Sequence, residues 1–147
     1  MFLTAVFAVA VLILSCNPQD SGECTPIANP DKGVELISPD GGSLDYGSTV
    51  YINWKADPSR VEQVALQVST SGINGPWRHI FSHGIDVPPD NDIVCMDTLW
   101  TIGDEYESNL IDYGTAGTIL LRVASYNELT NEALRDVSSS ITVRMGQ

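Results

Sequence analysis

The sequence has few basic residues. Only 7 of its 147 residues are lysine or arginine, against 19 aspartates and glutamates, which gives a formal net charge of -12 at pH 7. A protein of this charge repels phosphate backbones, so the composition argues against nucleic acid as a partner. A length of 147 residues predicts one domain, and an apolar fraction of 43% is enough to build one core.

Long hydrophobic runs are also scarce, and the run at the N-terminus is short. Residues Phe2 to Leu14 are apolar except for Thr4, whereas a membrane-spanning helix needs about 20 apolar residues. Polar, turn-forming residues follow directly, which is typical of a cleaved signal peptide rather than a membrane anchor. The sequence therefore predicts an exported protein with a lipoprotein signal peptide over residues 1–15.

Cys16 follows this run in the setting of a lipid-acceptor cysteine. Ile13 lies three places before it and the small residue Ser15 immediately before it, a pattern that resembles the bacterial lipobox. In that motif the cysteine becomes the new N-terminus and carries acyl chains such as palmitate, so we expect lipidation of Cys16 and contact with a membrane through this lipid. Asn17 is not the acidic residue that retains enterobacterial lipoproteins at the inner membrane, which predicts an outer-membrane or cell-surface location. The alternative is an ordinary secretory signal with Cys16 unmodified.

Cysteine is rare, with 3 in the chain. If Cys16 carries lipid, Cys24 and Cys95 remain, and an even pair in an oxidising compartment is a candidate disulfide. Such a bond would join the N-terminal segment to the loop before Trp100 and close a loop of about 70 residues. Two free thiols are the alternative.

The chain contains no internal repeat and no run with a helical period. Residues 16–33 include three prolines among Asn, Asp, Ser and Gly, which predicts a flexible tether. Beyond it the apolar period is two, with turn residues between the runs, which indicates half-buried strands. The predicted strands are Val34–Ile37, Thr49–Lys55, Val61–Ser69, Trp77–Phe81, Thr98–Ile102, Thr118–Ser125 and Ser139–Arg144. They predict an all-β, immunoglobulin-like (fibronectin type III-like) β-sandwich of about seven strands over residues 34–146.

Several segments of this domain resemble a known family. They are residues 37–42 (ISPDGG), 46–54 (YGSTVYINW), 66–70 (LQVST), 122–126 (RVASY) and 136–143 (DVSSSITV). They are similar to the immunoglobulin-like domain of the Ser/Thr-rich, GPI-anchored fungal wall proteins, which includes the N-terminal part of the yeast β-1,6-glucan assembly proteins. The resemblance implies an accessory or wall-associated domain of cell-surface proteins, here in a bacterial lipoprotein, with no catalytic residues to carry across.

The polar residues of the sequence do not form an enzyme motif. His79 and His83 have the spacing of two zinc ligands on a helix, but they lie on and after a predicted strand, without the glutamate of the metalloprotease pattern. Ser82 lacks the glycine-flanked turn that exposes a nucleophile. We therefore expect a protein that is not an enzyme and that carries neither a metal nor another cofactor.

The candidate ligand surface lies in and beside the two long loops predicted for residues 83–97 and 103–117. Tyrosine rings suit sugar stacking, while Trp54 and Trp100 fall on the inward faces of their strands. The acidic residues of these loops lack the spacing of a calcium-binding EF-hand, so solvated charge is the simpler interpretation. The candidate residues are Asp104, Glu105, Tyr106, Tyr113 and Tyr126.

These features together predict a lipid-anchored, non-enzymatic domain of the cell envelope. We expect it to bind a cell-wall polysaccharide or an envelope protein through the acidic loops and an exposed sheet edge. The alternative is a structural spacer or assembly subunit of a surface complex, which pairs strand to strand at an uncovered edge. Clustered exposed tyrosines would favour glycan binding, and a bare hydrophobic edge strand would favour assembly.

Overall fold

The computed structural model describes residues 24–146, and strands dominate it. Strands form where the sequence alternates apolar and polar residues, because one face of each can then be buried. The strands are β1 Val34–Ser38, β2 Ser43–Asp45, β3 Thr49–Ala56, β4 Gln63–Ser69, β5 Arg78–His79, β6 Ile85–Asp86, β7 Val94–Thr101, β8 Thr118–Ser125, β9 Arg135–Val137 and β10 Ile141–Arg144. The helical segments in this part of the chain are the 3-10 turns Ser108–Leu110 and Glu132–Leu134 and the short helix α1 Tyr113–Ala116.

The strands form two sheets. The smaller sheet has the order β1-β3-β7, and the larger has the order β2-β10-β8-β4-β5, with β6 also paired to β4 and β9 to β8. The pair β2–β10 is parallel, whereas the pairs β1–β3, β3–β7 and β4–β8 are antiparallel. The chain thus crosses between the two sheets after β1, β2, β3, β6 and β7. The predicted all-β sandwich is confirmed, with ten strands in the described residues rather than about seven.

The core lies between the two sheets. Trp54 and Trp100 are buried there, as their parity in the sequence predicts, and Trp54 Nε1 donates a hydrogen bond to Thr98 Oγ1 at 3.1 Å. The smaller sheet also contributes Val34, Leu36 and Ile52, and the larger sheet contributes Val64, Leu66, Val68, Ile119, Leu121, Val123, Ile141 and Val143. Side chains of the opposite parity in β4 and β8 therefore point to the outer face of the larger sheet.

Strand β7 begins earlier than the sequence predicts. It starts at Val94 and pairs with β3 from Ala56↔Val94 to Thr49↔Thr101. The sequence assigns residues 94–97 to a loop, and this prediction is wrong. Pairing with β3 extends as far as Ala56, the last residue of β3, so β7 begins at Val94 rather than at Thr98. As a result, β7 is an eight-residue strand at the edge of the smaller sheet.

Residues 24–33, which the sequence assigns to the tether, have no regular structure but are fixed to the smaller sheet. Cys24 forms the disulfide with Cys95 on β7, with the Cα atoms 5.7 Å apart. Ile27 is buried, and Lys55 Nζ donates hydrogen bonds to Thr25 Oγ1 at 2.9 Å and to the Pro26 carbonyl at 3.4 Å. The segment is thus attached to the sandwich at Cys24, Thr25 and Ile27, although most of its other residues are exposed.

The N-terminal predictions concern residues that the structure does not describe. The signal peptide and Cys16 both lie outside residues 24–146. Within the described range, no helix is long and apolar enough to cross a membrane.

Candidate functional site

Two of the five residues predicted to form a ligand surface are buried instead. Glu105 and Tyr113 are each 4% exposed. Glu105 Oε1 accepts hydrogen bonds from Trp100 Nε1 at 2.8 Å, from the Gly103 amide at 3.0 Å and from the Tyr113 hydroxyl. The prediction is wrong for this pair because the loop after β7 folds back over Trp100. The carboxylate of Glu105 therefore faces the protein interior rather than solvent.

Tyr113 is held in its protonated form by these surroundings. Burial raises the pKa of Tyr113 well above its usual value, and the hydrogen bond to Glu105 raises it further. The ring also packs edge-on against Tyr46, with centroids 5.7 Å apart. This cluster anchors the loop to the core, and neither Glu105 nor Tyr113 is exposed to a ligand.

The other three predicted residues do not complete a tyrosine platform. Tyr106 and Asp104 are exposed, but Tyr126 is half-buried, and its ring packs edge-on against His79 with centroids 6.1 Å apart. With Tyr113 in the core, Tyr106 is the one predicted tyrosine whose ring is largely open to solvent. In residues 24–146, no group of three or more His, Cys, Asp or Glu side chains is placed to hold a metal ion.

A row of side chains crosses the outer face of the larger sheet. Val137, Arg122, Gln67 and His79 are register partners across β9, β8, β4 and β5, and partners in register share one face. Arg122 Nε donates to Gln67 Oε1 at 2.7 Å, and Gln67 Nε2 lies 3.1 Å from His79 Nε2. Although these side chains lie on the face opposite the core, Arg122 is only 6% and Gln67 only 2% exposed.

Trp77 covers Arg122 on this face. The guanidinium carbon lies 4.3 Å from the centroid of the indole ring, which is a cation–π contact. Trp77 Nε1 donates to the Ile73 carbonyl at 3.3 Å, and Gly72 adopts a φ of 82° in the turn between β4 and β5, a left-handed conformation that glycine adopts freely. The turn thus places Trp77 outside the sandwich core, unlike Trp54 and Trp100.

A shallow cavity of about 350 Å³ lies beside this row. It is lined by Lys32, Ile73, Glu132, Arg135, Asp136 and Val137, and we name it the outer-face groove. Arg135 forms an ion pair with Glu132 at 2.8 Å, and Lys32 forms one with Asp136. Ile73 is 58% exposed and adds an apolar side to the groove.

The groove and the row form one continuous surface. Val137 lines the groove and is the register partner of Arg122, while Ile73 lines the groove and accepts the hydrogen bond of Trp77. One feature of the sequence marks this surface: Arg122 is a charged residue in the middle of an otherwise apolar strand. This feature did not identify the neighbours of Arg122, because these come from distant parts of the chain.

Comparisons with known proteins add little to this description. No protein-family model matches the chain, and no curated protein matches it. One similar solved structure is a crystal structure of an engineered protein from a structural genomics consortium, at 13% sequence identity and a TM-score of 0.41. The match covers 76% of this chain and 20% of that one. A likeness at this level carries no argument about function.

Proposed function

We propose that this protein is a lipid-anchored, non-enzymatic domain of the cell envelope that binds a cell-wall glycan in the outer-face groove. The observation that supports the proposal is the composition of the groove, in which ion-paired side chains lie beside the exposed Ile73. Binding sites for small molecules combine apolar surface with a few polar groups that fix the orientation of the ligand.

The two ion pairs suit hydroxyl groups in particular. Arg135 and Lys32 donate hydrogen bonds, while Glu132 and Asp136 accept them, so the groove offers both kinds of partner within a small area. A sugar hydroxyl donates and accepts at the same time, and hydrogen bonds to charged groups are stronger than neutral ones. The apolar C–H faces of a sugar ring match the side chain of Ile73.

The proposed location rests on Cys16 and on the disulfide. The segment before Cys16 resembles a lipobox, which supports acylation at this residue and attachment to a membrane. The disulfide Cys24–Cys95 supports export, because such bonds persist in oxidising compartments and are rare in the cytosol. A change of Cys16→Ala should move the full-length protein from the membrane fraction to the soluble fraction of cells.

The test of glycan binding is a pull-down of the soluble chain, residues 24–147, on insoluble cell-wall and plant polysaccharides. We expect retention on one polysaccharide, and loss of retention in the double variant Ile73→Ala with Arg135→Gln. The matched control is Tyr106→Ala, which removes an exposed ring outside the groove and should leave retention unchanged. Loss of retention in the control alone would place the site elsewhere, and no retention on any polysaccharide would contradict the proposal.

A second candidate function, an assembly subunit of a surface complex, is favoured by β7. This strand is at the edge of its sheet, and its Leu99 is 53% exposed beside its register partner Tyr51, which is 54% exposed. Unpaired strand edges are templates for strand addition from another chain. In this case crosslinking in intact cells should capture a partner at β7, and Leu99→Lys should abolish the crosslink.

A further inference from the structure

In residues 24–146, the basic side chains without an acidic partner are Arg60, Arg78 and Arg122, and Arg122 is the most buried of the three. It has 7 basic and 19 acidic residues, so a carboxylate partner is easily supplied. Four of the seven basic side chains lie in ion pairs: Lys32 with Asp136, Lys55 with Glu35, Arg135 with Glu132 and Arg144 with Asp45. Arg122, which is 6% exposed, has no carboxylate within ion-pair distance in residues 24–146.

The contacts of Arg122 are with neutral groups. Gln67 accepts the hydrogen bond from Nε, and the Trp77 ring lies over the guanidinium carbon. Neither terminal nitrogen donates a hydrogen bond to a described residue, and neither is fully buried. A buried charge is costly unless it is paired and hydrogen-bonded, so an external acceptor that reached these two nitrogens would stabilise the guanidinium.

The geometry of the guanidinium favours a carboxylate as that acceptor. Arginine presents its N–H groups as a planar fork that matches the two oxygens of a carboxylate. Gln67 fixes the orientation of the fork from one side, and Trp77 fixes it from above. A sugar in the outer-face groove would contact Val137, the register partner of Arg122, and such partners have Cβ atoms about 5 Å apart.

The electrostatic setting limits how many charges the ligand carries. The net charge of -12 repels a polyanion as a whole. Locally, however, Arg122 and Arg135 are close enough that burial first, and then the charge of Arg135, lower the pKa of Arg122 to about 10. The guanidinium therefore stays charged at neutral pH, and because the acids of the groove are paired with Arg135 and Lys32, a single ligand carboxylate would be its charge partner.

We infer that the glycan bound in the outer-face groove carries an isolated carboxylate, as a uronic acid does, and that Arg122, oriented by Gln67 and Trp77, binds this carboxylate. The inference rests on the proposed function, since it assumes that the groove holds a sugar. It adds the chemical class of the ligand and the residue that selects it.

The test uses calorimetric titration with oligosaccharides from plant and bacterial cell walls that each contain one uronic acid, together with the carboxyl-reduced form of each. Reduction replaces the carboxylate by a hydroxymethyl group and leaves the rest of the sugar unchanged. We expect at least one acidic oligosaccharide to bind at least tenfold more tightly than its reduced form. If every acidic oligosaccharide that binds has the same affinity as its reduced form, the inference is overturned and the proposed function stays intact. No binding of any oligosaccharide would overturn both.

Variants assign the selectivity to Arg122. We expect R122Q to bind the acidic and the reduced form with equal affinity, and R122K to retain only part of the preference, because lysine keeps the charge without the planar fork. The matched control is R60Q, which removes an equal charge at an exposed site and should keep the full preference. The ratio of the two affinities is the readout, since a merely structural role of Arg122 would lower both affinities together. A full preference in a folded R122K or R122Q variant would contradict the inference.

Discussion

Trp100 Nε1 donates a hydrogen bond of 2.8 Å to Glu105 Oε1 in the interior of the protein. The same oxygen accepts hydrogen bonds from the Gly103 amide and the Tyr113 hydroxyl, whereas Oε2 has no partner among the described residues. One carboxylate oxygen thus satisfies three donors from the end of β7 and the loop that follows. This explains why the longest segment between two strands, residues 102–117, is attached to the core.

Replacement of Glu105 should therefore destabilise the fold. In Glu105→Ala, the indole and hydroxyl donors remain buried without an acceptor, which costs about 3 kcal/mol in the free energy of unfolding. The control is the neighbouring exposed residue in Asp104→Ala, where a change within about 0.5 kcal/mol is expected. Urea denaturation followed by tryptophan fluorescence measures both, and equal stability of the two variants would contradict a structural role for Glu105.

Tyr113 should make the protein sensitive to alkali. Its pKa is raised from the model-peptide value of 10.0 by burial and by Glu105, so above that pH the unfolded chain releases a proton that the folded protein retains. The free energy of unfolding should then fall with rising pH, by up to about 1.4 kcal/mol per pH unit from this residue. In Tyr113→Phe the decline above pH 10 should be shallower. Urea denaturation between about pH 8 and 11 tests this, and identical declines in the two proteins would refute it.

The long strands can be predicted from the sequence because the alternation of apolar and polar residues is visible within each segment. The bounds of Thr118–Ser125 are the same in sequence and structure, and Trp54 and Trp100 are buried as their parity requires. Strands β2, β6 and β9 are two or three residues long, too short to show a period. They form because they can pair with β10, β4 and β8, respectively. Their formation thus depends on residues distant in the sequence.

The candidate site was harder to predict for the same reason. Glu105 and Tyr113 have the composition of an exposed loop, and only the return of that loop to Trp100 buries them. Arg122 and Gln67 are 55 residues apart in the chain, so their contact depends on the register of β4 and β8. A charged residue within an apolar strand indicates that a polar partner distant in the sequence is needed, but the sequence does not identify that partner.

Removal of the disulfide should lower stability substantially. The bond joins residues separated by 71 positions, and the chain-entropy model gives about 4 kcal/mol for a loop of this length. We expect the double variant Cys24→Ser with Cys95→Ser to lose most of this amount in urea denaturation. A reducing agent should destabilise the unmodified protein by the same amount and leave the variant unaffected. Equal stability of the variant and the oxidised protein would contradict the prediction.

Ile27 should contribute to stability although it precedes the first strand. The side chain is 6% exposed, and truncation of a buried isoleucine to alanine costs about 2–5 kcal/mol. We expect Ile27→Ala to fall near the lower end of this range, because the segment is also held by the disulfide and by Lys55. The exposed neighbour in Pro26→Ala is the control and should change the free energy of unfolding by less than about 0.5 kcal/mol. If Ile27→Ala were as stable as this control, residues 24–33 would behave as a free tether and not as part of the folded domain.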